Sequence, residues 1–263
     1  MSHPYPPTVN VIAVQSDIIW ENKRANFDNI RTLLQQTKPP ADSLVVLPEM
    51  FATGFSMNAK QIAEEPGGET DGYLSSLARE FSSTIVAGTA RRNGPGQIEN
   101  QALVFSSSGQ LIASYAKMRP FTPGGEADHY AAGTGFITFP WKEITVAPFV
   151  CYDLRFPELF RAAAAAHRPE LMLVIASWPE KRIIHWVRLL QARAIENQCY
   201  VVGVNRVGTD PFYKYCGQSI IVDPQGEILA DAGDKQGCIQ AKLDLETLKK
   251  YRAGLPFLAD MRP

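Results

Sequence analysis

Two short runs constrain the fold of this chain more than anything else in it: Leu44-Val-Val-Leu47 and Leu171-Met-Leu-Val-Ile-Ala176. Neither alternates apolar with polar residues, so neither is a strand with one wet face. A strand that is apolar on both sides must be covered on both sides. Such strands lie inside a sheet, with a further layer of structure above and another below. At 263 residues the chain is long enough to supply those layers and bury a substantial core.

Periodicity supplies the neighbouring elements. Val9–Gln15 reads as a buried first strand, and Asn22–Gln36 as a helix with Phe27, Ile30, Leu33 and Leu34 on one face. Asp71–Phe81 carries Tyr73, Leu74, Leu77, Ala78 and Phe81 on one helical face, with Asp71 as its N-terminal acid. Strands are expected at 84–89, 100–105 and 111–117, the last two joined through Ser106-Ser-Ser-Gly-Gln110 as a hairpin. Further strands are expected at 136–139, 144–150, 171–176, 200–207, 217–222, 228–230 and 238–243, and helices at 157–166, 182–197 and 245–251. That makes about twelve strands and five helices, alternating along the whole length. The expectation is an α/β protein of one domain over 1–263, with a core from about 9 to 251 and a tail over 252–263. Two packed sheets with helices outside satisfy the apolar strands; a single doubly wound sheet satisfies them too.

The ends of three strands carry reactive groups. The run Ile144-Thr-Val-Ala-Pro-Phe-Val150 delivers Cys151 into the turn Cys151-Tyr-Asp-Leu-Arg-Phe-Pro157. Leu44-Val-Val-Leu47 runs into Pro48-Glu49, and Leu111-Ile-Ala-Ser-Tyr115 into Ala116-Lys117. A thiol has a pKa near ~8.5 and needs help to become a nucleophile at neutral pH. A carboxylate and an ammonium that meet it at one sheet edge supply that help. Taken singly these residues mean little: Glu49 reads as a capping acid, Lys117 as a solvated strand end, and Cys199, Cys216 and Cys238 as small core residues.

Charge and composition exclude other classes. Lys and Arg number 26 against 27 Asp and Glu, with no basic block, so no nucleic-acid surface is expected. The opening Met1-Ser-His-Pro-Tyr-Pro-Pro7 lacks the charged and apolar regions of an export signal, and no apolar run approaches the ~20 residues of a membrane span. The cysteines are widely spaced and no histidines are paired at ligand spacing, so neither a metal site nor a disulfide framework is expected. A cytoplasmic setting follows as the expectation.

Three segments resemble the signature motifs of the carbon–nitrogen hydrolase (nitrilase) superfamily: Leu47-Pro-Glu49, Tyr115-Ala-Lys117 and Cys151-Tyr-Asp-Leu-Arg-Phe-Pro-Glu158. Later segments are similar to the rest of its pattern: Ala192-Arg-Ala-Ile-Glu-Asn197, Asn205-Arg-Val-Gly208 and Gly217-Gln-Ser-Ile-Ile-Val-Asp-Pro-Gln-Gly226. The resemblance runs from about Val9 to Tyr251. It implies a four-layer α-β-β-α sandwich, a Glu-Lys-Cys triad of Glu49, Lys117 and Cys151, no cofactor, and a homodimer that extends the sandwich. Ser177-Trp178-Pro179 and Cys-Tyr-Asp-Leu-Arg-Phe-Pro look most like the omega-amidase branch, whose members hydrolyse the terminal amide of 2-oxoglutaramate and related 2-oxo acids. The segment Met118-Arg119-Pro120-Phe121 departs from the His-Leu-Phe-like sequence that often follows the lysine there. N-carbamoyl amino-acid, small-amide and nitrile hydrolysis are the alternatives within the superfamily.

That resemblance assigns Glu49 as proton acceptor, Cys151 as nucleophile, and Lys117 with the Tyr152 backbone N–H as holders of the oxyanion. Glu126 matches the family's auxiliary glutamate and is expected to orient Lys117. Phe55, Phe121 and Trp178 are candidate pocket residues. Arg119, Lys181 and Arg182 are candidates for the substrate carboxylate. Arg155 with Glu158 and Arg193 with Glu196 stand three apart and are expected to form structural ion pairs. Two rivals stand beside this reading: a cysteine–histidine acyl-transfer enzyme using His129 or His185, and a partner-binding protein without catalysis.

Overall fold

The computed structural model describes residues 8–94 and 96–261; the opening segment Met1–Pro7, where no export signal is expected, lies outside them. The first half runs β1 (Thr8–Gln15), α1 (Lys23–Thr37), β2 (Leu44–Val46), α2 (Ala59–Ile62), α3 (Glu69–Glu80), β3 (Thr84–Arg92), β4 (Ile98–Phe105) and β5 (Leu111–Ala116). The second half runs β6 (Phe139–Trp141), β7 (Ile144–Val150), α4 (Pro157–His167), β8 (Leu171–Ala176), α5 (Ile183–Asn197) and β9 (Tyr200–Asn205). It continues through β10 (Val207–Thr209), β11 (Lys214–Cys216), β12 (Ile220–Val222), β13 (Ile228–Asp231), β14 (Gly237–Asp244) and α6 (Leu245–Gly254).

Two six-stranded sheets result, ordered β14-β1-β2-β3-β4-β5 and β13-β12-β9-β8-β7-β6, with β10 and β11 in a separate ribbon. The centres are parallel: β1, β2 and β3 in one sheet, β7, β8 and β9 in the other. The apolar runs identified from the sequence occupy these centres, where both faces are covered. Leu44 and Val46 of β2 face a core shared with Val146, Phe149 and Leu173 of the opposite sheet. Val45 between them joins Ile30 and Leu34 of α1 and Leu74 and Leu77 of α3. All of β8 is buried, packed in one cluster with Phe160 of α4 and with Trp186 and Leu190 of α5. The layers are therefore α, β, β, α, and the single doubly wound sheet is ruled out. Each fully buried Val, Leu or Ile contributes roughly 1.5–3 kcal/mol, so these central strands hold the sandwich together.

Several boundaries differ from the sequence reading. The strand expected at 136–139 is β6, shifted to Phe139–Trp141. The run 200–207 ends at Asn205, and Val207 begins the β10–β11 ribbon. The run 217–222 shortens to β12 because Gly217 at φ 68° and Gln218 at φ 60° take left-handed backbone, which interrupts a strand. The hairpin at 106–110 forms as read, with Leu111 opposite Phe105 and Gly109 at φ 82° in the turn.

Topology decides where the reactive residues go. β2 and β3 are parallel, while β4 and β5 each reverse direction, so β5 finishes at the same edge as β2. The parallel strands β7 and β8 of the opposing sheet end there as well. Glu49, Lys117, Cys151 and Ser177 all lie just beyond those ends.

Candidate active site

Glu49 is seated by a close approach of two backbones. A Cβ placed on Gly88 of β3 would lie 2.5 Å from Glu49 Cα and 2.6 Å from Met50 N, so only glycine fits. The Gly88 N–H donates to Pro48 O at 3.1 Å, and Gly88 O accepts from Phe51 N at 3.2 Å, which pins the turn on both sides of Glu49.

Cys151 follows β7 with φ 48°. That conformation costs a non-glycine residue about 1–3 kcal/mol and persists only where its surroundings enforce it. It turns the chain out of the strand line into a 3-10 segment, Cys151–Arg155. The Tyr152 N–H is among the leading donors of that segment, which have no partner within it. Asp153 enforces the turn. One carboxylate oxygen accepts from Val150 N at 3.0 Å and from the Tyr115 hydroxyl at 2.7 Å; the other accepts from Arg119 N at 2.9 Å. A single buried side chain thus ties the Cys151 turn to β5 and to the loop after Lys117. Burial raises the Asp153 carboxyl to about 6, against the lowering effect of those donors.

The side chains of Glu49 and Glu126 are wholly buried, and that of Lys117 is 1% exposed. Lys117 Nζ lies 2.9 Å from Glu49 Oε1 and 2.7 Å from Glu126 Oε2. Asn100 Nδ2 donates to Glu49 Oε1 at 2.7 Å and to Glu126 Oε1 at 2.8 Å, and Ser177 N donates to Glu49 Oε2 at 2.7 Å. Counting lone pairs, Glu49 Oε1 is saturated by two donors and Oε2 keeps one free position. Counting donors, Lys117 uses two of its three N–H groups on carboxylates and keeps one.

The electrostatics follow from this geometry. Burial by itself lowers the Lys117 ammonium, but Glu126 and Glu49 overcome it and hold that group well above its ordinary range. Lys117 is a permanent cation. Burial pushes the Cys151 thiol well up, the neighbouring Glu49 charge pushes it further, and Lys117 pulls the other way. The resting thiol is therefore protonated.

A pocket opens over Cys151. Phe55, Phe121, Tyr152 and Trp178 all line it. Phe55 also lies under Lys117, its ring centroid 5.2 Å from Nζ. Phe121 meets Tyr152 edge to face at 5.0 Å between centroids.

Two charged residues occupy other places than expected. Arg155 does not pair with Glu158. Glu158 meets Arg119 instead, at 3.6 Å, while Arg155 lines the pocket with its guanidinium 4.7 Å from the Trp178 ring centroid. Arg155 ends the 3-10 segment and Glu158 begins α4, with Phe156 at φ −113° and ψ 87° between them, so no single helical turn carries both side chains and the three-residue spacing does not bring them together. On α5, where the spacing is helical, Arg193 and Glu196 do pair, at 3.0 Å. Of the candidate carboxylate binders only Arg182 lines the pocket, lying over Phe121 at 5.4 Å; Arg119 and Lys181 do not line it. His185 lies 3.3 Å from Arg155, and His129 closes the short turn after Glu126.

Sequence reading missed Asn100, Asp153, Arg155 and Tyr213, which also lines the pocket. Asn100 was hidden by a register shift: counting back from the Phe105–Leu111 pair sets it opposite Ala116, but the irregularity between Val104 and Phe105 moves it to face Lys117, whose N–H its carbonyl accepts at 2.9 Å. For Arg155 and Tyr213 no local pattern distinguishes a pocket wall from a surface.

The family model for carbon-nitrogen hydrolases matches residues 10–253. The chain belongs to the carbon–nitrogen hydrolase family and is a hydrolase of carbon–nitrogen bonds other than peptide bonds. Among its relatives, an omega-amidase of Yersinia enterocolitica is 38% identical, the match covering 96% of both chains. A 2-oxoglutaramate amidase of Bacillus subtilis is 31% identical, over 96% of this chain and 97% of that one. A CN-hydrolase superfamily protein of Xanthomonas campestris, solved with an arsenic adduct in its active site, superposes with a TM-score of 0.92 at 32% identity, covering 97% and 98% of the two chains.

Proposed function

We propose that the protein is an omega-amidase, cleaving the terminal amide of short 2-oxo dicarboxylic acid monoamides, 2-oxoglutaramate first, into the 2-oxo dicarboxylate and ammonia. One observation carries this reading: the pocket that holds Cys151 at its base holds two arginines, Arg155 and Arg182, on its wall. The base suits an amide and the wall suits a carboxylate. Burial and the like charge of Arg182 both lower the Arg155 guanidinium, a tension that an anionic ligand relieves. The names of the Yersinia and Bacillus relatives support the same substrate class.

In the proposed reaction the free lone pair of Glu49 takes the thiol proton as Cys151 Sγ bonds to the amide carbon. The third N–H of Lys117 and the Tyr152 N–H hold the oxyanion. Glu49 returns the proton to the amide nitrogen, the carbon–nitrogen bond breaks and ammonia leaves. Water then loses a proton to Glu49 and attacks the thioester, and the carbon–sulfur bond breaks to free the acid and restore the thiol. Glu126 shares Lys117 with Glu49 and keeps the ammonium charged and aimed. No metal or organic cofactor takes part.

The working form is proposed to be a cytoplasmic homodimer. Its nucleophile must stay reduced, and Cys151, Cys199, Cys216 and Cys238 are all free thiols. Among the described residues no helix is long and apolar enough to cross a membrane. Ile184 and Ile195 on α5 and Ile228 and Leu229 on the edge strand β13 stand exposed, which supports pairing of protomers there. The test is ammonia release from 2-oxoglutaramate, glutamine, an N-carbamoyl amino acid and a simple nitrile, with Cys151→Ala as control. The expected order places 2-oxoglutaramate first by kcat/KM and leaves the control inactive. Equal rates on glutamine, or a preference for the carbamoyl compound or the nitrile, overturn the substrate. Turnover by Cys151→Ala overturns the mechanism.

A further inference from the structure

Asn100 lies inside β4, 1% exposed, at the centre of the buried charges. Its single amide nitrogen meets both carboxylates, Glu49 at 2.7 Å and Glu126 at 2.8 Å. Its oxygen is buried without any partner. A buried amide with an orphan oxygen is costly, and one that persists calls for a reason. Turning the amide over gives no relief, because its oxygen would then face two carboxylate oxygens at the same distances. The nitrogen is needed where it is. Together with Lys117 it closes a ring: Glu49 Oε1, Lys117 Nζ, Glu126 Oε2, Glu126 Oε1, Asn100 Nδ2 and back to Glu49 Oε1. The same residue's carbonyl holds the Lys117 backbone N–H.

We propose that Asn100 is a positioning residue: by donating to Glu49 and Glu126 at once, it fixes Glu49 so that only its Oε2 lone pair is free to take the Cys151 proton. Without Asn100, Oε1 regains a lone pair, Glu49 is held by Lys117 and the Ser177 N–H alone, and the two carboxylates have only Lys117 between them. The inference rests on the reading of Glu49 as proton acceptor. The titratable groups around the ring are Glu49 beyond β2, Lys117 beyond β5, Cys151 beyond β7, Glu126 in its loop, and Tyr130, whose hydroxyl donates to Ser56 O at 2.6 Å. Asp153 acts on it from behind Lys117 and Tyr215 from the β10–β11 ribbon.

Two variants separate a donor from a spacer. Asn100→Ala removes the amide; Asn100→Asp keeps its shape but donates only when protonated. The readouts are the rate of Cys151 alkylation by iodoacetamide against pH, kcat and KM for 2-oxoglutaramate against pH, and the thermal midpoint. Misplacing a catalytic group by an ångström costs on the order of 10²-fold, so Asn100→Ala should lose about that much in kcat with KM little changed. Asn100→Asp should be equally impaired at pH 8 and recover toward wild type as the pH falls and the new carboxyl gains its proton. Alkylation should follow the same acid-shifted course. Should Asn100→Asp show the wild-type pH profile, or both variants lose the same factor at every pH, Asn100 is packing and the proposal fails. Alkylation does not depend on which amide is the substrate: an acid-shifted profile in an enzyme that ignores 2-oxoglutaramate keeps Asn100 and discards the substrate.

Discussion

Replacing Arg155 with methionine removes a guanidinium from the pocket wall and leaves a side chain of comparable reach over Trp178. Arg155 is half-buried, stacks on that ring at 4.7 Å and stands in the field of Arg182. A hydrogen bond to a charged group contributes about 1.5–3 kcal/mol, and each ~1.4 kcal/mol is tenfold, so an anionic substrate should lose roughly 10- to 100-fold in kcat/KM. The retained Arg182 places Arg155→Met toward the lower end of that range and the double variant with Arg182→Met toward the upper end. The lost stacking on Trp178 weakens the pocket for every substrate alike and cancels when two substrates are compared. The assay is therefore a cycle: wild type and Arg155→Met, each with 2-oxoglutaramate and with butyramide, a neutral amide of similar length. The expected result is a rise in KM for 2-oxoglutaramate with kcat little changed, and less than about a threefold effect on butyramide. Equal losses on both amides would show that Arg155 shapes the pocket without reading charge, and the argument from the two arginines would fall with it.

Lys117→Met should lower kcat by at least about 10²–10³, since it removes a charged oxyanion donor, and should cost roughly 3–5 kcal/mol of stability by leaving Glu49 and Glu126 buried without their cation; borohydride trapping of a lysine–substrate adduct would contradict the electrostatic role. Gly88→Ala forces a methyl to 2.5 Å from Glu49 Cα and should cost about 1–3 kcal/mol together with most of the activity, whereas Gly72→Ala, on the open face of α3, should stabilise by about 0.5–1 kcal/mol and leave turnover alone; urea titration and ammonia release check both. Asp153→Asn removes a buried carboxyl that titrates at about 6 in the fold against an ordinary 3.8. Between those values the folded state binds the extra proton, so wild-type stability measured relative to the variant should fall as pH rises from about 4 to 6 and stay flat above, by on the order of 3 kcal/mol in urea unfolding; the opposite slope would show that the carboxylate is favoured by its donors.

What was legible in the sequence was whatever local chemistry dictates. Leu171–Ala176 has no polar face, so its double cover could be read before any fold was known. Glu49, Lys117 and Cys151 each close an apolar run, and strand direction then brings them to one edge. The break at Gly217 and Gln218 was hidden because its left-handed backbone leaves no hydrophobic signature, and a glutamine there reads as well in a strand. Arg155 was misplaced because the α-helical rule of three-residue neighbours was applied across a break, the non-helical Phe156 between the 3-10 segment and α4. Glu126 could be matched by family pattern, but its complete burial depends on Asn100 meeting it from β4 as well as on the Phe121 N–H of its own loop. Tyr213 reaches the pocket from a ribbon whose pairing is not encoded in any periodicity.

The charges along the pocket also set the direction in which a substrate must enter. At its base lie two buried carboxylates and one ammonium, a net negative charge beside the thiol. On its wall stand Arg155 and Arg182. A molecule with an amide at one end and a carboxylate at the other has one favourable orientation in that field, amide toward Cys151 and carboxylate toward the arginines. Hydrolysis changes this balance. The product carries a second carboxylate, formed beside Glu49 and Glu126, where like charges in a poorly solvated site repel strongly. On the proposed mechanism the cluster that activates the thiol thus disfavours the product, and ammonia departs before that charge appears. In the proposed mechanism the proton transfers fall to buried groups and recognition to half-buried ones, so substitution at Arg155 or Arg182 is expected to alter selectivity without disturbing the proton transfers below.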